Sequence, residues 1–150
     1  MQAELGFEAD SERSSRQAVE LAESQNLPLP VKYLINASHA QIIDDKKKAI
    51  ESYENLSKSL PGDTNVLYNL GMLYLETGAY DKSRSMFSRI LKADPKNIKA
   101  LWGMGVVENT VANPQAALDA LTKGLSLATQ VDNQEPVSYT HLTLPTILRV

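Results

Sequence analysis

The sequence predicts an all-α fold, a solenoid of antiparallel helix hairpins, because it repeats itself every 34 residues. A proline closes one unit at Pro61 and the next at Pro95. Two further registers, one of small and one of large apolar side chains, keep the same period: Ala49, Ser83 and Ala117, and four residues later Tyr53, Phe87 and Leu121. Since a single hairpin cannot bury its apolar face alone, this period indicates stacked hairpins that cover one another.

Composition restricts the classes of function. The 150 residues carry a net charge of −3, with a pI near 5.4, which argues against binding to nucleic acid or an anionic membrane. The absence of cysteine excludes disulfides and thiolate metal sites and fits a reducing, cytoplasmic environment. No apolar run approaches the roughly 18 residues that cross a bilayer, and residues 1–10 lack the basic start of a secretory signal.

Residues 1–29 are predicted to belong to a partial preceding repeat. Residues 11–24 form one helix that carries Val19, Leu21 and Ala22, and a proline-containing linker follows at residues 26–30.

The first full unit is predicted at residues 30–63. Its apolar side chains recur at helical spacing at Tyr33, Ala37, Ala49, Tyr53 and Leu56. The run of Lys46, Lys47 and Lys48 opens its second helix and is interpreted as a solvated face, because nucleic-acid binding would need a broader basic stripe.

The second unit, residues 64–97, has the clearest pattern. Its first helix carries an apolar stripe through Leu67, Leu70, Leu73 and Tyr74. Gly71 would let a neighbouring helix approach closely.

The boundaries of the two helices in this unit are also marked. Gly78 favours the left-handed residue that ends the first helix. Asp81 is expected to cap a second helix that buries Phe87, and Asp94 with Pro95 stops it.

The third unit, residues 98–131, keeps the apolar registers at Leu101, Met104, Leu121 and Leu125. Asn113 as cap and Pro114 at the first helical position mark the start of its second helix. With no neighbour beyond it, this helix is expected to expose an apolar face formed by Ala117, Leu121 and Leu125.

Residues 132–150 are predicted to be a disordered tail. The run 136–150 loses the helical period and resembles the translation of a transposase-type sequencing-library adapter. Such a segment is left out of reasoning about the fold. The chain is therefore expected to be a fragment of a longer array.

The unit at 64–97 resembles the tetratricopeptide repeat. The family pattern of Leu-Gly, Tyr, Gly-x-Tyr, a small residue, an aromatic residue and Pro is matched in order by Leu70-Gly71, Tyr74, Gly78-Ala79-Tyr80, Ser83, Phe87 and Pro95. The third unit departs from this pattern at Glu108 and Pro114, where the family has tyrosine, and the first unit departs at Asn36. The resemblance implies a right-handed superhelix in which the first helix of every hairpin lines a concave groove.

That groove is where the resemblance places a ligand. The residues that would bind it are Asn65, Tyr68, Asn69, Met72, Lys99, Trp102, Val106 and Asn109, with Leu34, Ser38 and Gln41 from the first unit. Tyr68 and Trp102 lie one period apart and would sit side by side as aromatic anchors for an extended peptide or a helix. The alternative for this pair is packing between repeats.

Other ligands and reactions are not indicated. Some family members grip a C-terminal carboxylate, but only Asn69 and Lys99 match that site, and Leu34, Ser38 and Gly103 replace its other residues. Outside the adapter-like segment 136–150 His39 is the only histidine, and a lone histidine more often belongs to a surface or core than to a metal site. Catalytic residues, metals and cofactors are therefore expected to be absent.

The sequence favours a protein-interaction scaffold for a protein or peptide partner, without nucleic acid or membrane. An alternative is the repeat region of a bacterial multidomain signalling enzyme, a serine/threonine kinase or nucleotide cyclase, whose catalytic domain lies outside this chain. Self-association through the exposed ends of the array is a third hypothesis.

Overall fold

The computed structural model describes residues 2–132, and their side chains from 8 to 130, as a series of α-helices. The adapter assignment and the predicted tail lie outside the described residues, apart from residue 132. The helices within residues 2–132 are α1 Gln2–Ser24, α2 Leu29–Ile42, α3 Lys46–Ser59, α4 Thr64–Glu76, α5 Tyr80–Ala93, α6 Ile98–Thr110 and α7 Pro114–Asp132. The all-α prediction is confirmed. The chain forms two compact units, one ending at Ile90 and the other beginning at Leu91.

Helices α2 to α4 of the first unit surround a core in which small side chains bring the helices close together. Ala37 of α2 and Ala49 of α3 are fully buried, and Tyr53, Leu56, Leu70 and others complete the cluster. The registers noticed in the sequence are therefore the buried ones here. Burial of these apolar side chains is the main stabilising contribution to such a hairpin stack.

Helix α4 packs closely on α5 where Gly71 faces Phe87. A Cβ atom added to Gly71 would lie 2.9 Å from Cε1 of Phe87, so only glycine leaves room for the ring. Ser83, the polar member of the small register, is fully buried, and its Oγ donates a hydrogen bond to the Gly71 carbonyl oxygen at 2.7 Å. The hydroxyl group is therefore satisfied in the core.

The 34-residue period is also present in the backbone. Positive φ angles occur at Asp44 (54°), Gly78 (76°) and Ala112 (59°), one period apart. Each lies in the short connection after the first helix of a hairpin, where a left-handed residue ends a helix. Only the middle position has glycine, the residue that adopts this conformation without steric cost.

The second unit is built on the α6–α7 hairpin. Leu101 and Val107 of α6 and Ala117 of α7 are buried, and a Cβ atom on Gly105 would lie 2.5 Å from Cγ of Leu121. The exposed face expected for Ala117, Leu121 and Leu125 is thus partly wrong. Ala117 is buried. Leu121 packs towards Gly105 but is 39% exposed, and Leu125 is 66% exposed, so the prediction holds for these two leucines.

Three local predictions need correction. Helix α1 begins at Gln2 rather than at residue 11. Helix α2 begins at Leu29, after Pro28 in the N-cap position, so the linker is shorter than residues 26–30, because proline is tolerated in the first turn of a helix. Helix α5 begins at Tyr80, so Asp81 lies in its first turn instead of capping it.

Candidate ligand-binding site

The predicted groove residues of the first unit share one face of α4. Asn65, Tyr68, Asn69 and Met72 follow one another at spacings of three, one and three residues within Thr64–Glu76, which places them on one side of a helix. Asn65 is exposed, and the other three are half-buried.

Two of these residues line a cavity of about 180 Å³ between α4 and the preceding hairpin. Asn69 and Met72 meet Gln41 of α2 there, and Ala40, Ala49 and Leu73 form an apolar part of the wall. Gln41 is held in place because the Tyr53 hydroxyl donates to its Oε1 at 3.0 Å. The structure thus brings Gln41, Asn69 and Met72 to one site.

Three charged residues at the edge of this cavity escaped the sequence analysis. Lys46, at the start of α3, has its Nζ 3.3 Å from Oε2 of Glu76 and 3.9 Å from Oδ1 of Asp44. The interpretation of residues 46–48 as a solvated face holds for Lys47 and Lys48, which are exposed, while the Lys46 side chain is 41% exposed and forms these two ion pairs. The 34-residue period could have singled out Lys46, because it is a lysine at the position where the next repeat has Tyr80.

Tyr68 is less exposed than the predicted role as a groove anchor requires, because its ring contacts Phe87. Its ring centroid lies 5.9 Å from that of Phe87, with the planes tilted by 57°. This is an attractive aromatic pair. Tyr68 therefore packs within its own hairpin and leaves only part of its ring available to a ligand.

A second tyrosine of α4, six residues after Tyr68, fixes the helix to its neighbours. The Tyr74 hydroxyl donates to Oε1 of Glu54 on α3, and Nζ of Lys82 lies 5.1 Å from the centre of the Tyr74 ring. Burial, and then the hydrogen bond to the Glu54 carboxylate, raise the pKa of Tyr74. Tyr74 therefore stays protonated and acts in packing rather than in acid–base chemistry.

The remaining predicted residues lie on α6 in the second unit. Lys99, Trp102, Val106 and Asn109 follow at spacings of three, four and three residues within Ile98–Thr110, so they share one face. Lys99 and Asn109 are exposed, Val106 is half-buried, and Trp102 is 47% exposed. This helix presents a large aromatic side chain that its own unit does not fully bury.

His39, the histidine considered as a metal ligand, has a structural contact instead. His39 Nδ1 is 2.9 Å from Oγ of Ser15, which places this lone histidine in the contact between α1 and α2. Among the side chains that the structure describes, no three His, Cys, Asp or Glu residues converge as metal ligands. In residues 2–132 no helix is both long and apolar enough to cross a membrane.

Comparison with known proteins shows which proteins the sequence resembles. Residues 45–104, from the cap of α3 into α6, match the model of the tetratricopeptide repeat family. Residues 45–104 are thus similar to tetratricopeptide repeats. A relative, the BBSome complex member BBS4 of Bos taurus, is 36% identical over 74 residues, which are 49% of this chain but only 14% of BBS4.

Solved tetratricopeptide-repeat structures share the fold. YrrB, described as having an unusual peptide-binding site, superimposes with a TM-score of 0.70 at 17% identity, covering 92% of this chain and 68% of YrrB. The TPR2B domain of yeast Sti1, solved in complex with pHsp70, gives a TM-score of 0.63 at 15% identity, covering 71% of this chain and 86% of that domain. At these identities the likeness establishes the α-solenoid fold of the family and leaves ligands to separate argument.

Proposed function

We propose that this chain is a protein-interaction scaffold that binds an extended peptide or a helix of its partner along the first helices of its repeats. The observation that carries the proposal is the cavity beside α4. There Gln41, Asn69 and Met72, which the sequence places on the groove face, line one accessible site.

The chemistry of this site suits a peptide. Asn69 and Gln41 carry amide groups that can donate to and accept from a peptide backbone, and Met72 adds an adaptable apolar surface. A peptide that runs along α4 would exchange hydrogen bonds with water for hydrogen bonds with these amides and bury its side chains against Met72.

The positions of these side chains are set before a ligand arrives. Leu70 and Leu73 anchor α4 in the core, and the Tyr53 hydroxyl orients Gln41. A rigid site loses less conformational entropy on binding, which increases affinity.

Two of the solved structures favour the same type of ligand. YrrB is described as having a peptide-binding site, and the Sti1 domain was solved with pHsp70. On α6, Lys99, Trp102, Val106 and Asn109 are proposed as a second ligand-contacting face. The placement of this chain in a signalling enzyme stays a prediction, which the genomic sequence on both sides of it would test.

The test is selection of peptides from a random twelve-residue library, at about 150 mM salt so that non-specific charge attraction is screened, with the full chain as bait. Asn69→Arg would fill the groove side of α4, and Asn55→Arg is the matched control, because Asn55 is a half-buried asparagine on α3 outside this cavity. We expect the first variant to weaken binding of the selected peptides at least about tenfold and the control to change it less than about twofold. Equal effects of both variants, or no selected peptide, would refute the proposal.

A further inference from the structure

The cavity beside α4 carries more negative than positive charge. Asp44 and Glu76 are carboxylates at its edge, and the Lys46 ammonium lies within ion-pair distance of both. Two negative charges against one positive charge leave a net charge of −1. Because Lys46 is already paired with both carboxylates, an incoming anion would have to compete with them for Lys46, and an incoming cation would share them with Lys46.

The interior of the cavity complements this charge. Ala40, Ala49 and Leu73 are buried apolar residues in its wall, and Met72 covers one side. An occupant with an aliphatic stem can bury that stem there and leave its charged end at the edge. The volume of about 180 Å³ is below the roughly 300 Å³ at which pockets begin to hold drug-sized ligands, so it suits one side chain.

We propose that this cavity is a specificity pocket for one lysine or arginine side chain of the bound peptide, whose cation joins Lys46 at the Asp44 and Glu76 carboxylates while its methylene groups lie against Met72. The proposal rests on the peptide-binding function proposed above and adds the chemical class of the partner. A partner selected by this pocket carries a basic residue at one fixed position of the segment that it presents.

Asp44 and Glu76 can be neutralised with little disturbance of the fold. Asp44 has a positive φ of 54°, a conformation that asparagine also tolerates, so Asp44→Asn removes the charge and keeps the backbone. Glu76→Gln keeps the shape of a half-exposed side chain at the end of α4. The matched control is Glu23→Gln, which removes the acid of another ion pair between helices, 3.4 Å from Lys32 and outside the cavity.

The experiment selects peptides from the random library described above, with the full chain as bait, and measures their affinity by fluorescence anisotropy. We expect one position of the selected peptides to be enriched in lysine or arginine. Because the Asp44 side chain is 84% exposed and that of Glu76 47%, each neutralised carboxylate should weaken binding only about two- to fivefold, and the double variant Asp44→Asn/Glu76→Gln about tenfold. Glu23→Gln should bind like the unchanged chain.

A second measurement connects the charge of the peptide with the charge of the pocket. Replacing the selected arginine by citrulline, its neutral isostere, should weaken binding to the unchanged chain but have little further effect on the double variant. Such coupling is expected only if the two groups interact directly.

The outcomes separate this inference from the function on which it rests. Peptides selected without a basic position, or with a basic position whose contribution the double variant leaves unchanged, overturn the pocket assignment and retain peptide binding. Enrichment of acidic residues that is lost in Lys46→Met reverses the sign of the proposal and overturns it. Failure to select any peptide overturns both.

Discussion

Truncation of Phe87 should cost this fold more than any substitution in the groove. The ring is 0% exposed and fills the space beside Gly71 and the Tyr68 ring. Phe87→Ala would leave a cavity that the α4–α5 hairpin can close only partly, and such changes cost about 3–5 kcal/mol. Since small domains unfold with a free energy of about 5–15 kcal/mol, the variant would retain only part of its stability.

Urea unfolding followed by far-ultraviolet circular dichroism measures this free energy of unfolding. Phe87→Leu is the control, because leucine keeps most of the buried volume and should lose less than about half as much as alanine. A loss below about 1 kcal/mol for Phe87→Ala would mean that its side chain does not sit in the core, because burial of this ring is what the estimate of about 3–5 kcal/mol assumes.

The contact between Gly71 and the Phe87 ring allows a double-mutant cycle. In the unchanged chain Gly71→Ala would press its Cβ against the ring, and overpacking of this kind costs about 1–3 kcal/mol. In the Phe87→Ala background the same methyl group enters vacated space, so its cost should largely disappear. If the two losses instead add within about 0.5 kcal/mol, the two residues are not in contact.

Three further predictions concern a helix cap, a strained turn and the two aromatic residues. The backbone N–H of Lys48 donates to the Asp45 carboxylate and lowers the pKa of Asp45. The stabilisation that the ionised Asp45 carboxylate gives to the start of α3 should therefore be complete above about pH 4. Melts of the chain should show its loss as the pH falls through the lowered pKa, whereas melts of Asp45→Asn should not show this loss. Ala112 has a φ of 59°, so Ala112→Gly should raise the free energy of unfolding in urea by about 0.5–1 kcal/mol, and a decrease would contradict the strain. Tyr68→Ala should lower the free energy of unfolding by more than about 1 kcal/mol, since it loses the Phe87 contact. Trp102→Ala should lower it less than Tyr68→Ala does and should weaken peptide binding. The reverse order of stability losses would place Trp102 in the core.

The sequence was sufficient to predict those parts of the fold where hydrophobic burial leaves little choice. Ala49, Ser83 and Phe87 were assigned from the period alone, and all three are fully buried. Gly78 was expected to adopt a left-handed conformation and does so. These positions are predictable because a small or large side chain there either fits the neighbouring helix or excludes it.

The candidate site was harder to predict because its charged members come from two distant parts of the chain. Asp44 and Lys46 are two residues apart at the start of α3, Glu76 ends α4, and packing brings Glu76 to the other two. Glu108 poses a similar problem. The sequence showed that it replaces a tyrosine, but its 6% exposure and the hydrogen bond that it accepts from Nδ2 of Asn113 at 3.0 Å required coordinates.

The period separates residues that hold the fold from residues that select a ligand. Where the 34-residue repeat keeps a similar side chain, the side chain is mostly buried, because every hairpin must fit its neighbour in the same way. Where the repeat changes its side chain on the first helices, the members of the register differ in size and polarity: Leu34, Tyr68 and Trp102; Ser38, Met72 and Val106; Gln41, Leu75 and Asn109. Each of these side chains is at least partly exposed, so packing does not require them to be alike. Their variety would let each repeat contact a different ligand side chain, and Lys46, which stands where the next repeat has Tyr80, lies at the edge of the cavity in the first unit.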